Sequence, residues 1–500
     1  MTRILLRNAV ANVLQMVIGA LLLFVLYRYI STTLGVDKLG VWSVVLAAAS
    51  ASRLADLGLS AGVTRFVARD LALAQPQMAV RVLETAYASL AMFVALVLAM
   101  VYPLLGRLLR YLFHAEYLTQ ALELLPLAMV SLWLTIVGAV AQSGLDGCQR
   151  MASRAVLVVL GQALMVLLAF ALVPQWGLTG LAWAQIGQGL FLLVSGWFLL
   201  RRAFPGISFL PWRWHRSAFR EMVGYGANVQ VSNIFVLLFD PLTKALMAKY
   251  GGPAAAGYFE IANQVVLRAR TLIVAANQAI VPGVAHMAEV TPTRLANLYQ
   301  ENIRILVLVA FPLHALLFAW SGLFSQLLLG VYQAQFVQFL QLCALAWLVN
   351  IFASPAYFVN MGTGSVGLNT LSHGVMGVLN LSLGVGLGVL YGAAGVAWGF
   401  VFALVTGSLL LVIVFQSRLG VSWQAMMRME HLPLAIVCLM IANFGLVGLD
   451  WMPMGLSQLA QCLVMLLFPL LALGLVLWLH PLRAVLLQRL IESRTGTKGP

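Results

Sequence analysis

Charge is what this sequence has least of. Only 9% of its 500 residues are Asp, Glu, Lys or Arg, against 62% apolar, where a soluble protein carries about 25% charged residues. So few charges cannot cover a water-exposed surface of this size, which leaves the bilayer as the solvent. An α-helix crosses about 30 Å of hydrocarbon with about 20 apolar residues, and runs of that length recur along the whole chain. The short alternating segments of a β-barrel are missing, so helices must satisfy the backbone hydrogen bonds.

Other absences narrow the function. The four cysteines (Cys148, Cys343, Cys438, Cys462) are scattered with no CxxC pair, which excludes a disulfide framework or a thiolate metal site; they read as small apolar helix residues. The seven histidines are equally dispersed. No GxxxxGK[ST] loop is present, so this chain does not itself hydrolyse ATP. The longest outer loop has about 15 residues and carries no acid, base or metal constellation, which argues against a membrane-embedded glycosyltransferase or ligase. The net charge of +14 comes without a basic groove interleaved with aromatics, and nucleic acid is not the expected partner. The cations follow the positive-inside bias instead.

What is present is a succession of spans. They are expected near 8–30, 39–62, 79–102, 119–142, 151–173 and 179–200, then near 222–248, 254–284, 301–323, 335–359, 367–390 and 393–415, with two more near 431–449 and 457–479. The fold class is thus all-α and polytopic, with about 14 transmembrane helices: a six-helix half over 1–216, a second over 217–430, an extra pair over 431–480 and a basic tail over 481–500. Arg3 and Arg7 precede the first apolar run as in a signal peptide, but the run is too long for that and its beginning recurs inside the chain. With the N-terminus inside, about 20 of the 29 Lys and Arg residues fall in cytoplasmic segments. Both termini are therefore expected on the cytoplasmic side, in a multi-pass protein of the bacterial inner membrane. The segment 201–220, with Trp212 and Trp214 among its cations, is expected at the inner interface, linking the halves.

Three anchors in register define an internal repeat. Ala11-Asn12-Val13 matches Ala227-Asn228-Val229; Gly35 and Gly40 match Gly252 and Gly257; and Gly177-Leu-Thr-Gly180-Leu-Ala-Trp183 matches Gly392-Ala-Ala-Gly395-Val-Ala-Trp398. The offsets differ by single residues. Each half holds an even number of spans, so the two are parallel repeats about an axis normal to the membrane, an arrangement that places substrate at the repeat interface. Gly384, Gly388 and Gly392, and Gly58 with Gly62, read as close-packing ridges. Pro241, Pro282, Pro312 and Pro355 predict kinks.

Ionisable residues inside spans cost about 2.5–3.5 kcal/mol each on insertion scales and so mark candidate sites. The repeat pairs Arg53 with Arg270, Arg28 with Lys244, and Asn12 with Asn228. Two guanidiniums on opposite walls of a wet cleft suit an anion with several oxygens, such as a phosphate. Arg53, Arg270, Arg268, Arg28, Lys244, Asn12 and Asn228 are the candidate substrate-binding residues. Against this stand plainer roles: Arg53 and Asp56, three apart, can neutralise each other, Arg28 and Lys244 can snorkel to the interface, and Asn can simply join helices. Asp56, Asp240 and Glu260 are candidate carriers of a coupling H+ or Na+, or else partners for nearby cations. No cofactor or metal is expected.

The segment Leu34-Gly-Val-Asp-Lys-Leu-Gly-Val-Trp42, then Leu54-Ala-Asp-Leu-Gly-Leu-Ser60 and Arg65, with the GxxGxAW elements before the sixth and twelfth spans, resembles bacterial polysaccharide flippases of the O-antigen type, in the MATE-like flippase superfamily. The resemblance covers roughly residues 1–420. It implies a V-shaped bundle with a central cationic cavity, arginines from the second and eighth spans lining it (here Arg53, Arg268 and Arg270), and outward movement of an undecaprenyl-pyrophosphate-linked oligosaccharide. Polysaccharide polymerase and glycosyltransferases are the partners it suggests. Fourteen spans also occur in related lipid II flippases, which keeps that subfamily open. A multidrug or organic-cation antiporter of the same superfamily, which needs cavity carboxylates, and a non-transporting scaffold are the competing readings.

Overall fold

The chain is described by a computed structural model, covering residues 2–50, 56, 58–209, 211, 213–278, 293–363, 365–421, 429–447 and 458–481. Among these residues every regular element is helical and none is a strand. In chain order they are α1 (Thr2–Thr33), α2 (Val36–Ser50), α3 (Leu59–Ala72), α4 (Pro76–Leu112), α5 (Ala115–Gly147), α6 (Met151–Ala203), α7 (Arg216–Gln278), α8 (Thr293–Ala319), α9 (Ser321–Leu329), α10 (Ala334–Gly362), α11 (Gly367–Leu419), a 3-10 turn at Met429–His431, α12 (Leu432–Val447) and α13 (Gln458–Leu479). Seven described helices are long and apolar enough to cross a bilayer. This is a polytopic helical membrane protein.

Three described helices are long enough for two crossings. At 1.5 Å per residue, the 53 residues of α6 and of α11 run to about 80 Å, more than twice the hydrocarbon thickness. Each folds back at a glycine: α6 at Gly177 (φ 56°, ψ −130°), α11 at Gly392 (φ 60°, ψ −141°), and the 63-residue α7 at Gly252 (φ 79°, ψ 175°). A side chain at these angles would clash with its own backbone, so glycine is required. The two arms of each helix occupy successive expected spans.

These glycines are the repeat anchors. Gly177 and Gly392 share one rare backbone conformation, and Gly35 (φ 89°) and Gly252 (φ 79°) both have positive φ. Packing repeats as well. A Cβ on Gly180 would overlap the carbonyl oxygen of Leu172, and one on Gly395 that of Leu387, 215 residues on in both cases. Gly40 and Gly257 go further, because they pack on each other's helices: a Cβ on Gly40 would strike the Pro253 carbonyl, and one on Gly257 the carbonyl of Val36. Val36 and Pro253 are themselves repeat mates. The contact is therefore self-complementary, as a pseudo-twofold axis through it demands.

Some expectations need correction. The second span does not run as one helix from 39 to 62: Asp56 has 3-10 geometry and Gly58 (φ 71°, ψ 12°) caps a new helix, α3. Gly58 is thus a turn residue rather than half of a packing ridge. Gly62 does pack closely, against Met222. Along α11, Gly384 meets Leu246 and Gly388 meets Tyr250, but Gly392 is the fold-back point. Pro241, Pro312 and Pro355 lie inside helices that continue through them. Pro282 lies outside the described residues.

By contact the chain divides into two compact units, Met1–Ile261 with His373–Ala403, and Ala262–Ser372 with Leu404–Pro500. In the first, the segment after α6 is strapped to α4. Buried Glu84 accepts hydrogen bonds from the Ser208 backbone N–H (2.8 Å) and hydroxyl (2.5 Å), Thr85 accepts from the His215 N–H (3.1 Å), and Ser89 accepts from the Trp214 indole (3.0 Å). Trp214 is thus tied to protein while about half exposed, and Trp212 lies outside the described residues. In the second unit, Tyr299, Ile303, Leu306, Ile351, Leu411 and Phe415 form part of one apolar core, and α12 and α13 pack on α8 through a smaller one around Leu434 and Ile441.

Candidate functional site

Arg270 sits on the second arm of α7, in the second unit. Its Nε and Nη2 both donate to Asn350 Oδ1 on α10, at 3.1 and 2.8 Å. The guanidinium carbon lies 4.7 Å from the centre of the Trp347 ring, one helical turn before Asn350. The site is braced behind these contacts: Asn350 Nδ2 donates to Ser408 Oγ on α11 (2.9 Å), and the Trp347 indole donates to Asn263 Oδ1 on α7 (2.8 Å). Both amide orientations follow from their partners, because a guanidinium and an indole N–H can only donate.

Among the described residues no carboxylate pairs with Arg270. Its partners are an amide and an aromatic face, which hold it in place without neutralising it. Two of its five N–H donors go to Asn350, and the others have no protein acceptor among the described residues. A rigidly held, unneutralised guanidinium in an apolar bundle can receive an oxyanion through two parallel hydrogen bonds.

Lys244 meets the opposite situation, in the first unit. It is buried on the first arm of α7, and its Nζ lies 2.7 Å from Asp240 Oδ2 and 2.6 Å from Glu260 Oε2. Glu260, also buried, accepts a further hydrogen bond from the Tyr27 hydroxyl of α1 at 2.9 Å. The cluster joins α1 and both arms of α7. Lys244 thus already has two carboxylates, and Asp240 and Glu260 are its partners.

The remaining candidates are dispersed. Asn12 accepts from Arg154 Nη2 (2.8 Å), and Arg154 also pairs with Asp146 (2.8 Å), so Asn12 joins α1 to α6. Arg28 and Arg268 are exposed. Asp56 accepts from the Ser60 N–H (3.3 Å) and hydroxyl (3.0 Å). Arg53 and the side chain of Asn228 lie outside the described residues. Sequence reasoning singled out Arg270 as a candidate but not its contacts Asn350 and Trp347, or Ser408 behind them; polar side chains amid apolar spans were the available signal. It also missed Tyr27 and Glu84.

Helices bent at the matched glycines Gly177 and Gly392, and the self-complementary seam at Gly40 and Gly257, define the class: a polytopic helical membrane fold with an internal repeat. Solved structures agree. The lipid II flippase MurJ in its inward closed conformation superimposes with a TM-score of 0.72 at 13% identity, over 97% of this chain and 99% of that one. An inward-facing multidrug resistance MATE family transporter gives 0.66 at 15% identity, over 80% and 94%. A MOP superfamily transporter from Pyrococcus furiosus, described as having a binding pocket of reversed polarity, gives 0.57 at 16% identity, over 83% and 95%. Within that fold, the chain belongs to the polysaccharide biosynthesis protein family, whose model matches residues 34–338. Comparison with curated proteins gives no match.

Proposed function

We propose that this protein is a flippase that moves a polyprenyl-pyrophosphate-linked oligosaccharide from the cytoplasmic to the outer leaflet by alternating access, for synthesis of a cell-surface polysaccharide. The observation that carries this reading is Arg270: a guanidinium fixed by Asn350 and Trp347, with no described carboxylate to neutralise it. Such a group favours an anionic ligand over an organic cation. Membership of the polysaccharide biosynthesis family supplies the glycan. In this proposal Arg270 takes the pyrophosphate while the prenyl tail stays in lipid, and Arg53, its repeat mate at an offset of 217, plays the same part for the first half. Both termini lie in the cytoplasm, as the Lys and Arg distribution suggests.

The carboxylates Asp240 and Glu260 belong to the transport cycle through Lys244. With both ionised, the cluster keeps one net negative charge, and uptake of H+ or Na+ there would loosen the hold of Lys244 on one partner.

The test is reconstitution into vesicles with a fluorescent polyprenyl-pyrophosphate oligosaccharide, scored by access of a glycan-modifying reagent to the outer face. Protein-dependent movement is expected. No movement, together with efflux of an organic cation by the same vesicles, would replace the flippase with an antiporter.

A further inference from the structure

The two arms of α6 do not close fully on each other. They leave a lipid-facing groove of about 770 Å³, lined on one arm by Ala152, Ser153, Val156, Leu157 and Leu160 and on the other by Phe191, Val194, Ser195, Phe198 and Leu199. Most of this lining is hydrocarbon, and several of its side chains are strongly exposed, Val156 and Val194 at 58% each. Three features set it apart from ordinary lipid-facing surface.

Charge is concentrated at one end. Arg150 is exposed and directly precedes the arm that begins the groove, and Arg202, also exposed, lies in the last turn of the arm that ends it. Arg202 does not extend away into water. Its guanidinium carbon lies 4.5 Å from the centre of the Phe198 ring, so its charge rests on a residue of the groove wall. Two hydroxyls, Ser153 and Ser195, face the same space, and neither has a hydrogen-bond partner among the described residues. Ser153 is three residues from Arg150, and Ser195 is three residues from Phe198. Ser153 is thus about one helical turn, roughly 5 Å, deeper than Arg150, and Ser195 lies the same depth below Phe198, the ring that carries the Arg202 guanidinium.

We infer that the α6 groove binds an anionic glycerophospholipid of the leaflet that adjoins Arg150 and Arg202. One acyl chain lies between Val156, Leu160, Phe191 and Val194, an ester carbonyl accepts from Ser153 or Ser195, and the headgroup phosphate rests on Arg202 and Arg150. The spacing suits this occupant, because a glycerophospholipid has its ester carbonyls about one helical turn below its phosphate. The charge selects an anionic headgroup, since a zwitterionic one brings its own cation to the arginines. The inference stands apart from Arg270 and from the transported substrate.

Native mass spectrometry of the purified full-length protein, titrated with phosphatidylglycerol or with phosphatidylcholine of the same chains, tests this directly. The wild type should retain phosphatidylglycerol in preference. Arg150→Gln/Arg202→Gln should weaken that binding roughly thirtyfold, to the level of phosphatidylcholine. Val194→Trp, a filling of the open groove at an exposed position, should displace both lipids. Arg110→Gln, an exposed cation on α4, should leave phosphatidylglycerol binding unchanged. Equal retention of the two lipids by the wild type, or undiminished phosphatidylglycerol binding in the double arginine variant, overturns the site. Because Val194→Trp leaves the arginines in place, its retention of both lipids at wild-type affinity also overturns it.

Discussion

Replacing Gly40 by alanine adds one methyl group to the seam where repeat-related helices meet. In the structure that methyl carbon would fall well within 3.0 Å of the Pro253 carbonyl, and it would lie 3.0 Å from the Gly257 amide nitrogen. The obstacle is backbone, so no side chain can rotate away and the helices must separate. Overpacking of this kind costs about 1–3 kcal/mol, and an immovable carbonyl places Gly40→Ala toward the upper end. Gly257→Ala should cost about the same, because its added methyl meets the carbonyl of Val36 in the mirrored position. The informative quantity is the double variant. The separation that accommodates one methyl also opens the gap for the other, so the combined loss should fall short of the sum by about 0.5–3 kcal/mol. Reversible unfolding in mixed micelles, followed by circular dichroism, measures all three losses. Additivity within about 0.5 kcal/mol, or no loss in either single variant, would refute the self-complementary seam and the pseudo-twofold axis drawn through it.

Other consequences follow from particular contacts. Lys244→Met leaves Asp240 and Glu260 facing each other without their cation, and removing one partner from a buried ion pair costs about 3–5 kcal/mol; the variant should unfold earlier in micelles, and Lys244→Met with Glu260→Gln and Asp240→Asn should recover much of the loss. Glu84→Ala releases the Ser208 N–H and hydroxyl, which should leave the segment between α6 and α7 open to limited proteolysis that spares the wild type. His480, just beyond α13, faces His431 with ring nitrogens 3.3 Å apart, and burial holds its pKa below the ordinary histidine value. A lowered folded-state value means the unfolded chain binds the proton first as pH falls. The stability of this end of α12 and α13 should therefore drop on acidification below about 6.5, and His480→Gln should flatten that dependence in thermal melts at pH 7.5 and 5.5.

How far the sequence could be read depends on what kind of residue carried the information. The bends were legible because glycine at a turn with positive φ has no substitute: Gly177 and Gly392 recur in register with matching φ and ψ, and Gly35 and Gly252 recur with φ positive in both. Arg270 stood out because a cation in an apolar span is costly and invites a functional reading. Its supports did not. Asn350, Trp347 and Ser408 carry no charge and lie on α10 and α11, and nothing in linear spacing brings them to α7. Lys244 shows the converse. As a cation in a span it invited the same reading as Arg270, yet the fold gives it two carboxylates, one of them sixteen residues away beyond the Gly252 bend. The break at Gly58 was hidden because a glycine four residues before another, Gly62, suits a packing ridge and a turn equally well.

The central claim is that Arg270 acts as a positive charge awaiting an anion. The affinity of purified protein for a polyprenyl pyrophosphate, the corresponding monophosphate and the free polyprenol tests it most directly, in the wild type and in Arg270→Gln. Binding should weaken down this series in the wild type, and the variant should lose most of its preference for the diphosphate while still binding the polyprenol. An unchanged preference in Arg270→Gln would contradict it.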